Sequence, residues 1–146
     1  MPSAVPPHRL SAGVVVVSLA ETELKFLLLR AYRNWDFPKG LVETGEEPID
    51  AARREAREET TLEDLCFDWG FGFMDTGPYN NGKISRYYIA RSPETRVRLP
   101  VNPELGAPEH HEARWVDFEK ALSMLSPRLE PVVRWAYAVI KMRPAP

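Results

Sequence analysis

Two apolar runs, "GVVVVSLA" over residues 13–20 and "LKFLLLR" over residues 24–30, flank the polar residues Glu21, Thr22 and Glu23. Their β-branched and leucine-rich make-up predicts two strands, 13–19 and 24–30, joined by a short turn. The lack of polar alternation predicts burial on both faces. "AYRNWDFPKG" reads as a loop punctuated by Pro38 and Gly40. Two signals mark a helix start just beyond it: Thr44 and Glu47 have capping-box spacing, and Pro48 suits a first helical position. The proline carries more weight and predicts a helix over 48–60, with Ile49, Ala52 and Ala56 facing inward. Residues 65–74 and 84–91 read as strands around a Gly-Pro and Asn-Asn-Gly turn at 77–82. "RVRLPVNPELGAPEHHE" is proline-broken loop, and "ARWVDF" is a short strand ending at a helix cap, Asp117. A short helix over 118–125 follows. A longer one over 129–142 turns Val132, Val133, Trp135, Ala136, Val139 and Ile140 inward. Residues 1–8 hold three prolines and little that packs, so they read as a frayed tail. Residues 9–143 form one domain. Strands interleaved with helices predict an α/β fold, a mixed sheet covered on both faces.

Composition narrows the possible functions. The chain has 146 residues, enough to bury a core without disulfides. Its 19 basic and 21 acidic side chains leave a formal charge of −2, which gives no field for non-specific nucleic-acid binding. A local basic groove for a small anion is compatible with that balance. One cysteine, Cys66, allows no intrachain disulfide and fits a reducing compartment. The start "MPSAVPPHRL" lacks signal-peptide character, and the apolar runs are far below the ~20 residues of a membrane span. A cytoplasmic protein without membrane or nucleic-acid partners is expected, as monomer or dimer.

The chemistry concentrates in "GLVETGEEPIDAARREAREETTL", residues 40–62. At 100° per residue, Glu59 falls at about +40° and Glu58 at about −60° from Glu55, so three carboxylates share one helix face. Arg54, four residues before Glu58, is within ion-pair reach. Such a helix is commonly just a solvated, salt-bridged surface. Yet like charges at Glu55 and Glu59 repel on a bare helix, and a divalent cation converts that repulsion into binding. Oxygen-only ligands suit Mg²⁺, with Mn²⁺ as the alternative. The glycine-containing loop ahead of the helix leaves backbone N–H groups free for phosphate oxygens.

The same stretch resembles the signature of the Nudix hydrolases: Gly, five residues, Glu, seven residues, then Arg-Glu-apolar-x-Glu-Glu-x-Gly-apolar. Here it reads Gly40, Glu46, Arg54, Glu55, Ala56, Arg57, Glu58, Glu59, Thr60, Thr61, Leu62. Ala56 is small for the apolar slot, and Thr61 stands where the second glycine belongs. If that position needs positive φ, a β-branched residue strains it by about 1–3 kcal/mol; the expectation is that the helix exit takes another path. The resemblance implies a Nudix α/β/α sandwich, a mixed β-sheet between helices, that splits phosphoanhydrides by water attack on phosphorus. It implies that Glu55, Glu58 and Glu59 ligate the metal, or that one of them acts on the attacking water. Arg54 then holds a glutamate in place, Glu46 supports the loop, and Gly40 lets the backbone approach metal and phosphate.

Flanking residues resemble the members that hydrolyse diadenosine tetraphosphate. "WDFPKG" places Lys39 as a phosphate contact, and Tyr79, in the loop "DTGPYNNG", matches the tyrosine that stacks on adenine there. Tyr87 and Tyr88 lie on opposite faces of a strand, one for the core and one, Tyr87, offered to the groove. "PEHHEARW" resembles the loop that brings a fourth carboxylate to the metals. Glu109, six residues before Trp115, fills that role ahead of Glu112. His110 and His111, being adjacent, do not both face one centre; they read as solvated, with assistance at a phosphate the alternative. The resemblance thus implies a nucleotide substrate, diadenosine tetraphosphate cut to ATP and AMP. The alternatives are a diphosphoinositol polyphosphate or other nucleoside-diphosphate-linked pyrophosphatase, and a catalytically inactive nucleotide-binding module.

Overall fold

The computed structural model describes residues 9–143; the expected tail at 1–8 lies outside the described residues. The chain runs β1 (Leu10–Ser18), β2 (Lys25–Ala31), β3 (Asn34–Asp36), β4 (Lys39–Leu41), α1 (Pro48–Thr60), β5 (Phe73–Tyr79) and β6 (Lys83–Arg91). Then follow β7 (Val101–Asn102), β8 (Ala107–Pro108), β9 (Glu112–Val116), α2 (Phe118–Met124) and α3 (Glu130–Met142).

The sheet is mixed, in the order β3-β2-β1-β6-β5, with β4 also pairing with β1 and β9 with β2. β1 lies parallel to β6 along most of its length. It meets β2 only at Val17–Phe26 and Ser18–Lys25, while its other end pairs antiparallel with β4. β1 and β2 thus part company, β4 continuing one branch and β3 and β9 the other. Residues 37–41 bridge the gap, where α1 packs against β4.

Period-2 geometry sorts β1 into two cores. Val15 and Val17 join Phe26, Leu28, Tyr87 and the inner face of α3; Val14 and Val16 join Leu27, Leu29 and α1. The expected burial of both strands on both faces is observed, and the α/β/α sandwich follows from it. α3 buries Val132, Val133, Ala136 and Ile140, with Trp135 and Val139 partly covered. α1 presses Ala51, Ala52 and Ala56 on the sheet. These small side chains let the helix lie close, and that brings Glu55 and Glu59 to the backbone of β4. The box slot at Ala56 therefore suits the contact it makes.

Several expectations change. α1 begins at Pro48, as the proline predicted, but Thr44 and Glu47 form no capping box: Glu47 is the N-cap without a side-chain bond, and the Glu43 N–H donates to Glu46 instead. Thr61 does adopt the left-handed conformation, φ 68° and ψ 4°, so the helix exit keeps the path a glycine would follow. Of residues 65–74, only Cys66 makes an isolated bridge, to Arg91, and the strand begins at Phe73. "NWD" and "KGL" form short strands inside the predicted loop. Asp117 caps α2 as expected, its carboxylate accepting the Lys120 N–H at 2.8 Å. Among the described residues no helix is long and apolar enough to cross a membrane.

Candidate active site

α1 meets β4 at Gly40. A Cβ built on Gly40 would sit 2.1 Å from the carboxyl carbon of Glu55, so the missing side chain is what lets that carboxylate lie against the strand. Arg54 then organises the acids. Its Nε and Nη2 grip both oxygens of Glu46 at 2.8 and 3.0 Å, and Nη1 donates to Glu55 at 2.9 Å and Glu58 at 3.2 Å. Nη2 also reaches the carbonyl of Leu41 at 3.0 Å, tying helix to strand. A planar fork with five donors can hold several carboxylates at once, where an ammonium would not. The hydrogen bond to Glu46 raises the Arg54 pKa above its already high value and lowers that of Glu46.

The three box carboxylates share a face but not an environment. Glu58 keeps 53 % of its side chain open, Glu55 14 % and Glu59 only 4 %. Glu59 Oε1 accepts the Lys39 N–H at 3.2 Å, while Oε2 is buried without a partner. Burial, with Glu109 and Glu55 close by, pushes the Glu59 pKa well up; burial also raises Glu55 and Glu109. An unpartnered carboxylate oxygen this deep costs stability unless it is protonated or bound. Ligand atoms of Glu59, Glu109 and His110 fall within 4.8 Å of one another. Two carboxylate oxygens crowded with an imidazole nitrogen fit a divalent cation, which would satisfy the orphaned oxygen and the mutual repulsion together.

His110 is thus nearer the centre than its sequence context foretold. Its Nδ1 lies 4.0 Å from Glu59 Oε1. Desolvation, with Lys39 and His111 adding positive charge, lowers its pKa to about 4. At neutral pH it is an uncharged imidazole, the form that can ligate or accept. His111 turns away, as adjacency required: its Nδ1 accepts the Tyr32 N–H at 3.0 Å. Glu112 does not substitute for Glu109; it is spent on Arg30 and Arg114.

Two cavities meet here. One, about 1100 Å³, is lined by Gly40, Arg54, Glu55, Glu58 and Glu59 together with the 99–104 segment. The other, about 660 Å³, is lined by Arg33, Trp35, Asp36, Tyr79 and Arg128. Lys39, Glu109 and His110 line both. Lys39 therefore stands at the junction, where a phosphate chain crossing from one to the other would pass. Tyr79 lines the smaller cavity, with the Arg128 guanidinium over its ring. Tyr87 does not line the groove: its ring is fully buried against Phe37, and its hydroxyl donates to Asp36 at 2.9 Å. Both faces of this sheet are covered, so neither Tyr87 nor Tyr88 is left to the cleft. Asp36 and Arg128 were missed; they are 92 residues apart and meet only in the fold.

A helix carrying three carboxylates on one face, two of them held by Arg54 and the third close to Glu109, is an arrangement fit for metal-assisted hydrolysis of phosphoanhydrides. The chain belongs to the Nudix family: the NUDIX domain model matches residues 7–136. It is a Nudix hydrolase acting on pyrophosphate bonds, and enzymes of this family generally use a divalent metal. It is 28 % identical over 116 residues to the mouse (Mus musculus) bis(5′-nucleosyl)-tetraphosphatase (asymmetrical), covering 75 % of this chain and 76 % of that one. It is also 28 % identical over 114 residues to the RNA pyrophosphohydrolase of Bartonella henselae, covering 66 % and 64 %. Its fold matches a C. elegans Ap4A hydrolase binary complex with a TM-score of 0.77 at 24 % identity, over 90 % of this chain and 98 % of that one.

Proposed function

We propose that this enzyme hydrolyses dinucleoside tetraphosphates asymmetrically, diadenosine tetraphosphate to ATP and AMP, with Mg²⁺ held by Glu55, Glu58, Glu59 and Glu109. The observation that carries the reading is the pair of cavities joined at Lys39 and Glu109: one substrate half in each, the larger holding the acidic cluster, with the phosphate chain passing the shared residues. The mouse relative's activity supports the same choice. Buried Glu59, with its orphaned oxygen, supports the metal.

When bound, Mg²⁺ neutralises the phosphoryl oxygens and acidifies the attacking water. The chain's residues supply the rest. Arg54 fixes the carboxylates of Glu55 and Glu58 before substrate arrives, so little reorganisation remains at the transition state. Gly40 keeps the backbone of β4 close to the reacting phosphate. Lys39 offers a point charge to the polyphosphate at the cavity junction. If one of the three box carboxylates instead acts on the attacking water, Glu58, the most open, has the room to do so, with Glu55, wedged on Gly40 and Arg54, the alternative. A cytoplasmic location, which the lone free Cys66 suits, is part of this reading.

The similarity to an RNA pyrophosphohydrolase favours a second reading, removal of pyrophosphate from an RNA 5′ end. A panel of diadenosine tetraphosphate, 5′-triphosphorylated RNA, inositol pyrophosphates and oxidised dNTPs, with products identified, tests the proposal. Tetraphosphate cleavage to ATP and AMP, lost in Glu58→Gln, is expected. Preference for RNA, or turnover indifferent to Glu58→Gln, would overturn it.

A further inference from the structure

Arg128 lies in the connection between α2 and α3, outside the signature and outside every pattern read from the sequence. Its guanidinium carbon sits 3.9 Å from the centroid of the Tyr79 ring. Nη1 donates to Thr76 Oγ1 at 2.7 Å, and Nη2 to Asp36 Oδ2 at 3.3 Å. Asp36 is itself fixed: its Oδ1 accepts from the Tyr87 hydroxyl at 2.9 Å and the Phe37 N–H at 2.6 Å. Lys39 stands 3.8 Å from its Oδ2. Side chains from β3, β5 and β6 therefore hold one guanidinium in place. The side chain remains 26 % exposed, and the cavity it lines is the smaller one beside the acidic cluster.

We infer that Arg128 is a substrate-binding residue, and that its guanidinium, laid on Tyr79, is the platform on which a nucleobase stacks in the smaller cavity. The inference rests on the nucleotide reading above. One face of the guanidinium is taken by the Tyr79 ring, and two of its nitrogens are bonded to Thr76 and Asp36. What it has left to offer a ligand is chiefly its other face. A nucleobase suits that face, because a planar cation stacks on π-systems. A phosphate suits it less: the neighbouring Asp36 offsets the charge, and Lys39 already stands at the phosphate junction. Tyr79 accordingly acts through Arg128, as its backing, with its hydroxyl anchored on Ser85.

Isothermal titration with the Ca²⁺ complexes of ATP, UTP and inorganic tripolyphosphate tests this: ATP and UTP differ only in the base, and tripolyphosphate lacks both base and ribose. The wild type is expected to bind ATP about tenfold tighter than tripolyphosphate, with UTP between. Arg128→Ala and Arg128→Lys should both lose that gap and keep the tripolyphosphate affinity. The lysine variant retains a cation beside Asp36, so it stands in should a bare carboxylate unfold the alanine variant. No base preference in the wild type would overturn the inference. So would a gap that survives in Arg128→Lys, or a loss shared equally by all three ligands. A wild type that discriminates bases in this way but leaves diadenosine tetraphosphate uncut refutes the proposed substrate and not the platform. Cleavage of that substrate with an unchanged gap in both variants refutes the platform alone.

Discussion

Replacing Gly40 by alanine probes the site with one carbon atom. The backbone there is not in the left-handed region, so the substitution carries no intrinsic strain. The new Cβ would lie 2.1 Å from the Glu55 carboxyl carbon, whereas ordinary contact begins near 3.4 Å. Its neighbour is the far end of a flexible side chain, not backbone. The protein therefore folds, and the carboxylate withdraws by roughly 1.3 Å, the gap between those two distances. That breaks the 2.9 Å bond to Arg54 and displaces a proposed metal ligand. Misplacement by ~1 Å costs on the order of 10²-fold in rate, about 2.7 kcal/mol of barrier. Steady-state kinetics on diadenosine tetraphosphate, Mg²⁺ titration of the rate and thermal melts check it together. The expected result is kcat down about 100-fold, a weaker Mg²⁺ dependence and a melting temperature within a few degrees of wild type. A variant that keeps kcat within threefold would refute the claim that Gly40 exists to seat Glu55; a variant that unfolds would refute the claim that only a side-chain tip is in the way.

Other outcomes follow from the same geometry. Glu59→Gln, assayed without metal at neutral pH, should melt higher than wild type, because it removes a buried charge; it should also lose the stabilisation that Mg²⁺ gives wild type. The raised Glu59 pKa sets the sign of the pH effect. The folded state favours the protonated acid, so its contribution is complete below the ordinary carboxylate range and is lost as pH rises through the raised value. Metal-free melting profiles of wild type and Glu59→Gln should therefore diverge with rising pH; parallel profiles would contradict this. Thr61→Gly should stabilise by about 1 kcal/mol, since Thr61 sits at φ 68°; an unchanged or lower denaturation midpoint would show the strain to be absorbed. Arg54→Lys should cut kcat by on the order of 10²-fold, since one ammonium cannot replace a fork holding three carboxylates; near-wild-type kcat would remove Arg54 from its positioning role.

What was legible in the sequence was whatever had a local cause. Pro48 set the start of α1, the spacing of Glu55, Glu58 and Glu59 set a shared face, and the apolar period of α3 set its inward side. β3 and β4 escaped notice because three-residue strands rich in charge carry no period; pairing with β2 and β1 makes them strands. Residues 65–72 have strand-like composition, yet only Cys66 finds a partner. Alternation correctly separates Tyr87 from Tyr88, and the element order predicts a sheet covered on both faces; the groove position expected for Tyr87 conflicts with that cover, and its ring packs on Phe37 instead. Thr61 shows the reverse failure: a residue unsuited to positive φ sits there because Thr60 Oγ1 and the Thr61 N–H bond back to Ala56 and Arg57 and hold the exit. His110, Asp36 and Arg128 take their roles from neighbours far along the chain, and no window of sequence contains those neighbours.

The central claim is that the carboxylates of Glu55, Glu58, Glu59 and Glu109 gather a hard cation at the junction of two cavities. Anomalous diffraction from crystals soaked in Mn²⁺ tests it most directly. A peak is expected about 2.1 Å from Glu59 Oε2, the oxygen now buried without a partner, and within reach of Glu109. A peak elsewhere, or none at this cluster in crystals of an enzyme that turns over with Mn²⁺, would contradict it.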